Sequence, residues 1–187
     1  MTFLKYLKYV SYFTLLYIFA YSLYDFKNNF SIGVRVKLSS HSQSNGETTR
    51  EYSFFGNPQS GGLNLFESVN NKLAVAVYNT KTNSYVTLES DFTPELNNWY
   101  TVIATYDGTT LKLFINGELH KSEDVSIELT PITTPFMIGV NPNLTSSTSG
   151  HFLHGMISDV LLVDEALTNN QIKSNYSNDL RTVVSAK

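Results

Sequence analysis

The sequence predicts an all-β protein: a two-sheet antiparallel β-sandwich with one short C-terminal helix and a hydrophobic N-terminal segment. Three observations carry this. Beyond Asp25 the chain is a series of short runs in which apolar residues alternate with polar ones, the period of a strand with one buried face. Turn-forming residues separate these runs at roughly the 8–12-residue spacing of sandwiches and barrels. No self-similar period of about 20–50 residues recurs, which sets aside propellers and solenoids.

Taken in order, "FSIGVRVKL" (Phe30–Leu38) alternates Phe30, Ile32, Val34, Val36 and Leu38 on one face with Arg35 and Lys37 on the other, a strand with one wet face. The polar stretch "SSHSQSNGETTR" follows as a loop, and "EYSFFG" resumes strand character. "GGLNLFES" and "KLAVAVYN" flank a turn at Val69-Asn70-Asn71, and "SYVTLES" follows Lys81-Thr82-Asn83. After a loop over Asp91–Asn98 come "WYTVIATY", "LKLFI" and "ELHKS". Asp107-Gly108 and Asn116-Gly117 separate these three, because both dipeptides accept the positive φ of tight hairpin turns. Leu111, Leu113 and Ile115 share one face, so the strand between the two turns has its register fixed at both ends. "FMIGV" and "HFLHGMISDVLLVD" complete the strands. In "ALTNNQIKSNY", Thr168 as N-cap with Gln171 three residues on makes a capping box, and Leu167 with Ile172 makes a hydrophobic staple. Tyr176 falls on the face of Ile172, and the helix is expected to end near Asn178.

With 187 residues the chain is long enough for one good core and short for two domains. A hydrophobic content of 42% and a charged content of 16% describe a folded, weakly charged protein. Its net charge of −3, with no basic run, argues against nucleic-acid partners, since neutralising phosphates needs clustered Lys and Arg. The absence of cysteine rules out disulfides, zinc–thiolate sites and cysteine nucleophiles.

Residues 1–24 differ from the rest. Lys5 and Lys8 precede the uncharged 16-residue run Tyr9–Tyr24, with the small-residue pattern Ala20-Tyr21-Ser22 near its end. This fits a secretory signal peptide, and its tyrosines also suit an uncleaved signal anchor at a membrane interface. The run is shorter than the roughly 20 residues of a spanning helix. A buried helix or first strand is the third reading. Removing residues 1–22 would take away two lysines and move the net charge from −3 to −5. Both membrane readings place residues 25–187 outside the cytoplasm, extracellular or membrane-anchored.

The ordered set "NNWYTVIATYDGTTLKLFINGEL", "FMIGV" and "FLHGMISDVLLVDEALTNNQI" resembles a laminin-G-like domain of the concanavalin A-like lectin/glucanase superfamily. The matching positions are Trp99, Asp107, Gly108, Asn116, Gly117, Ile138, Gly139, Gly155, Ile157, Asp159, Val160, Ala166, Leu167 and Thr168. The resemblance covers about residues 30–178 and implies a two-sheet antiparallel jelly roll. It also implies a further strand before Phe30–Leu38. Residues 23–29 alone would supply that strand if cleavage followed Ser22.

Because the superfamily includes glycoside hydrolases, paired carboxylates were sought. The glucanase pattern of Glu-x-Asp-x-Glu on one strand is missing. Glu89-Ser90-Asp91 has its first half, but Pro94 interrupts the path to Glu95. Glu123 and Asp124 alternate to opposite faces, and Glu128 does not repair the pattern. His151 and His154, three apart in a predicted strand, fall on opposite faces. His120 stands beside Lys121 on a predicted solvent face, and His41 lies in a polar loop. No catalytic or cofactor-binding residue is assigned, and the chain is read as a non-enzyme.

The reading is instead an extracellular binding module for carbohydrate or an extracellular protein surface. The alternative is a membrane-anchored structural or adhesive component, associated through residues 1–24; a glycoside hydrolase on the same fold ranks third. Candidate recognition loops are Ser39–Arg50, Gly56–Gly62, Asp91–Asn98 and Asn141–Gly150, since surface loops on a rigid sandwich tend to carry recognition. Tyr52, Phe55, Tyr78 and Tyr85 form a candidate stacking platform, with core packing the competing role. No cofactor is required. Ca²⁺ is the one candidate ion, implied by the resemblance, with Asp91 and Asp107 as contributors and no Asp-rich loop to complete a site. Asp107 and Asp159 match the family's structural pattern, which points to turn or backbone hydrogen bonding instead. Asn29-Phe30-Ser31, Asn143-Leu144-Thr145 and Asn175-Tyr176-Ser177 are sequons for N-glycosylation.

Overall fold

The computed structural model describes residues 29–44, 49–57, 62–129, 136–141 and 152–176. The segment 1–24, His151, most of the loop 141–150 and the sequon at Asn143 lie outside the described residues. In chain order the strands are β1 (Phe30–Leu38), β2 (Gln43–Ser44), β3 (Thr49–Arg50), β4 (Tyr52–Gly56), β5 (Leu63–Glu67) and β6 (Leu73–Asn79). They continue as β7 (Ser84–Glu89), β8 (Trp99–Tyr106), β9 (Thr110–Ile115), β10 (Glu118–Asp124), β11 (Met137–Ile138) and β12 (Gly155–Val163), before helix α1 (Asn169–Asn175).

Two five-stranded antiparallel sheets result, ordered β10-β9-β8-β1-β12 and β11-β4-β5-β6-β7. The period-two pattern is what makes them a sandwich. Ile32, Val34 and Val36 of β1 meet Leu65, Val75 and Val77 of the opposing sheet in one core, with Leu111, Leu113 and Ile115 of β9 joining it. The polar stretch after β1 is not all loop: β2 and β3 pair within it as a two-stranded ribbon.

The expectation that β1 has one wet face holds only for its second half. Ser31 is buried and Gly33 is crowded, because a second apolar cluster covers that face. It joins Ile103, Phe114, Leu161 and Val163 to Leu167, Ile172 and Tyr176, so α1 docks on the outside of the first sheet. The capping box forms as expected: the Thr168 side chain accepts from Gln171 N–H, and the Gln171 side chain accepts from Thr168 N–H. Leu167 and Ile172 close the staple inside the same cluster. Ser31 Oγ fixes the helix entry, donating to the Glu165 carbonyl at 2.7 Å and accepting from Leu167 N–H at 2.9 Å. The helix ends at Asn175, three residues before Asn178.

Both glycine turns are hairpin scaffold. Asn116 and Gly117 have φ of 50° and 85°, which a two-residue primed turn requires. Asn116 Oδ1 also accepts from Thr101 N–H at 2.9 Å, tying the turn to β8. In the other turn Asp107 Oδ1 accepts from the backbone N–H of Thr109 and of Thr110, at 3.0 and 2.8 Å. Replacing Gly117 with valine is expected to cost about 1–2 kcal/mol, the penalty on a left-handed L-residue. An unchanged melting temperature in Gly117→Val would overturn that turn assignment.

Candidate functional site

Strand direction decides which loops can cooperate. The segment after β1, the β5–β6 turn, the β7–β8 connection and the approach to β12 all emerge at one end of the sandwich. Backbone bonds join them there: Ser39 N–H donates to His154 O at 2.9 Å, and Asn97 N–H to Leu38 O at 2.7 Å. Two predicted recognition loops, Ser39–Arg50 and Asp91–Asn98, therefore share a rim. The third, Gly56–Gly62, and the Asp107 turn belong to the opposite end.

A buried carboxylate organises this rim. Glu67 continues the inward parity of Leu63 and Leu65, so the end of β5 carries it beneath the surface with its side chain 0% exposed. Its two oxygens have separate partners, His41 Nδ1 at 2.7 Å and the backbone N–H of Ser42 at 2.6 Å. Ser42 Oγ donates to Ser68 O at 2.6 Å. The loop after β1 is thus fastened to the second sheet. Burial pushes the Glu67 carboxyl above its ordinary value of 4.5, while the bonds from His41 and Ser42 pull the other way. The folded state consequently holds that proton more tightly than the unfolded chain. This contribution to stability is complete below pH 4.5 and is lost as pH rises through the raised value. Glu67→Gln keeps an acceptor for Ser42 and is expected to gain stability relative to the parent between pH 4 and pH 7, read by urea unfolding at both. Identical pH dependence in the two proteins would refute it.

Outside this half-buried pair, Ser40 Oγ lies 2.8 Å from His154 Nδ1 and 3.1 Å from Tyr52 Oη. Leu153 packs on the core, and the residues on either side of it, Phe152 and His154, are exposed. Among the described residues Phe152 is the most exposed of the large apolar side chains, at 52%. The rim therefore gathers hydroxyl and imidazole groups, with His41 held by the buried Glu67, and carries an exposed aromatic residue two positions before His154. Ser40 bonds to His154, whereas Glu67 bonds to His41, so these groups do not form a serine–histidine–acid relay.

The other predicted residues separate. Tyr52 and Phe55 pack on or within the core, the competing role named for them. Tyr78 and Tyr85 face away from it, edge to face with ring centroids 5.1 Å apart. His120 is not merely a solvent residue: its ring lies 5.3 Å from that of Phe92. His154 precedes β12 in a bend, not within a strand. Asp91 is ion-paired with Lys121, and Asp107 is used by its own turn with Lys112 at 4.0 Å. Among the described residues, no three His, Asp or Glu form a metal-holding group. Asp159 accepts from Ser158 Oγ at 2.6 Å, a side-chain rather than backbone bond. Glu89 receives Asn70 Nδ2 at 3.4 Å, and Glu95 receives Asn98 Nδ2 at 2.6 Å. Burial and the charge of Glu89 together raise the Glu51 carboxyl. An open depression of about 590 Å³ beside β7 is lined by Thr87, Leu88, Glu89, Ser90, Asp91 and Lys121.

Sequence reasoning missed Ser40, Glu67 and Phe152. One signal was legible, since Glu67 is an acid at the inward parity of an otherwise apolar strand. Phe152 gave none, because its exposure depends on where the preceding loop returns.

Comparison with known proteins places this geometry in a family. A laminin-G model of the Concanavalin A-like lectin/glucanases superfamily matches residues 18–173, beginning within the hydrophobic N-terminal segment. No curated protein matches the chain. Among solved structures, Ruminococcus gnavus IT-sialidase CBM40 bound to α2,3-sialyllactose is similar at a TM-score of 0.61 and 18% identity, over 79% of this chain and 82% of that one. Domain 4 of a GH43 extracellular arabinanase from Geobacillus stearothermophilus, in complex with arabinotriose, gives 0.60 and 19%, over 79% and 66%. A Bacteroides ovatus protein gives 0.62 and 21% over 79% of this chain, which spans only 40% of that protein. At these identities the structural likeness speaks to the fold. With the family model matched across most of its length, the chain belongs to the concanavalin A-like lectin/glucanase superfamily as a laminin-G-like jelly-roll domain.

Proposed function

We propose that this chain is a non-catalytic module, displayed outside the cytoplasm, that binds carbohydrate at the Ser40–His41–His154–Phe152 rim. The observation that carries the reading is the exposed Phe152, two residues before His154 in the chain, together with the Ser40–His154 bond and the His41 ring held by the buried Glu67 at the same rim. Saccharide recognition uses that combination, an apolar ring for the sugar's C–H face with hydroxyl and imidazole groups for its hydroxyls. The structural relatives that carry sialyllactose and arabinotriose support it. The non-catalytic part is supported by Glu89, Asp91 and Glu95, each of which has its own partner, and by Glu67, which lies beneath the surface bonded to His41.

A glycan array read with and without calcium, joined by a panel of matrix proteins, tests this. Saccharide binding is expected, with Phe152→Ala weakening it roughly tenfold, equivalent to about 1.4 kcal/mol. Binding only to proteins would move the ligand class, and binding to nothing would sink the module. Release of reducing sugar from a glucan panel would overturn the non-catalytic assignment. N-terminal sequencing of the exported protein tests the location: a start after Ser22 means cleavage, and Met1 retained in the membrane fraction means an anchor.

A further inference from the structure

Phe152 is not the only exposed apolar residue at this rim. Among the described residues four large apolar side chains are exposed: Tyr85, Leu96, Leu119 and Phe152. Tyr85 lies on β7 and Leu119 on β10, whereas Leu96, 38% exposed, lies in the β7–β8 connection at the rim. β1 runs between β8 and β12 in the first sheet, and the segments leading into those two strands bond to the chain where it leaves β1. Asn97 N–H donates to Leu38 O at 2.7 Å, and Ser39 N–H donates to His154 O at 2.9 Å. The Leu96 loop and the Phe152 segment therefore flank the end of β1, their backbones two strand spacings apart, about 10 Å.

Leu96 is held outward by a braced loop. Phe92 packs on the core with its ring 5.8 Å from that of Tyr100, and Pro94 is buried. Tyr100 Oη accepts from Glu95 N–H at 2.9 Å, and Asn97 takes a φ of 65°. A lone exposed leucine is ordinary. This one lies between two exposed polar residues that are locked together, since Asn98 Nδ2 donates to Glu95 Oε2 at 2.6 Å. A carboxylate has more acceptor sites than that one bond uses. An apolar residue close in the chain to hydrogen-bonding groups thus occurs on both sides of β1, Phe152 with His154 and Leu96 with Glu95 and Asn98. A single sugar ring is narrower than two strand spacings, so an extended chain of sugars is what spans the two. A peptide could not gain the main-chain bonds of strand addition here, because both edges of β1 are paired, with β8 and with β12.

We propose that the rim binds the interior of an extended oligosaccharide, laid across the end of β1 with one sugar against Phe152 and a later one against Leu96. This rests on the carbohydrate reading of the rim and adds the shape of its ligand. Leu96 is the residue that makes binding depend on chain length, and Glu95 and Asn98 hydrogen-bond the hydroxyls of the sugar it meets.

Titration calorimetry on the full chain would use ladders of arabino-, xylo- and cello-oligosaccharides, from the disaccharide to the hexasaccharide. In a ladder that binds, the tetrasaccharide is expected to bind roughly tenfold more tightly than the disaccharide, with little gain beyond it. Leu96→Ala, with circular dichroism to verify the fold, should flatten that rise and leave disaccharide affinity unchanged. Leu96→Met keeps the apolar volume and should preserve the rise. Phe152→Ala should weaken every length. A soluble polysaccharide of the same linkage should compete as well as the hexasaccharide, because no chain end is needed. Equal affinity for disaccharide and hexasaccharide, or the parent's rise retained in Leu96→Ala, would overturn the extended site and leave the rim standing. Failure of the polysaccharide to compete, or glycan-array binding confined to chain ends and single sugars, would overturn recognition of the chain interior. No saccharide binding at all would bring down the rim reading together with this one.

Discussion

Phe54→Ala is expected to destabilise the domain by about 3–5 kcal/mol, the range for removing a fully buried phenylalanine ring. Phe54 is 0% exposed and sits where β4 departs from regular pairing. Ser53 pairs with Phe66 and Phe55 with Leu65, so Phe54 is the extra residue of a bulge. The bulge allows two consecutive phenylalanines, Phe54 and Phe55, to enter the same core, which strict alternation would forbid. Truncating Phe54 leaves a cavity between two sheets whose strands are fixed by their hydrogen-bond ladders and cannot close on it. For a chain of this size the melting temperature should fall by roughly 6–20 °C. Phe54→Leu, which keeps most of the volume, should lose far less. If the alanine variant lost under 1 kcal/mol in urea unfolding, the bulge would not be directing Phe54 inward.

Gly155→Ala should act through the backbone. A Cβ at this position would stand 2.2 Å from the carbonyl oxygen of Lys37 and 3.1 Å from Leu38 Cα. Neither neighbour is a side chain able to swing aside, so β1 and β12 must separate locally where Leu38 and Gly155 pair. The expected loss is about 1–3 kcal/mol, the usual range for overpacking. A second effect follows from position. Residues 152–154 lead into Gly155, and His154 O is the acceptor for Ser39 N–H, so the rim should shift as well. Saccharide affinity should therefore drop in Gly155→Ala even at temperatures where the protein stays folded. Gly139→Ala is the informative contrast. Its Cβ would meet only Ile157 and Leu153 side chains at 3.9 Å, and its penalty comes from a φ of 71° alone. Gly155→Ala with the melting temperature and saccharide affinity of the parent would show that β12 has slack at its start.

These two positions also show what sequence patterns can and cannot carry. Gly155 was identifiable as one member of an ordered family pattern, but its reason, the close approach of the Lys37 carbonyl, belongs to a strand more than a hundred residues away. Phe54 read as ordinary strand, because a bulge is a property of the pairing and not of one strand. The helix N-terminus was fully legible, since Thr168, Gln171, Leu167 and Ile172 interact within a single turn. The two hairpins were legible for the same reason: Asn116-Gly117 and Asp107-Gly108 satisfy local backbone demands.

The candidate site was much less legible. His41 looked like a residue of a polar loop and is in fact bonded to a buried carboxylate 26 positions away. Ser40 bonds across 114 positions to His154. The four aromatic residues grouped as one platform divide between core and surface, because Phe55 follows a bulge and Tyr78 and Tyr85 sit on the outward parity of β6 and β7. By itself, then, the sequence determined the all-β class, nearly every strand and turn, and the superfamily. These follow from alternation, turn chemistry and capping, which act over a few residues. Only the tertiary structure decided which loops share a rim, that Glu67 anchors it, and that the segments carrying Leu96 and Phe152 bond to the end of β1 from opposite sides. Those contacts depend on strand order and register, which bring distant residues together by way of the sheets.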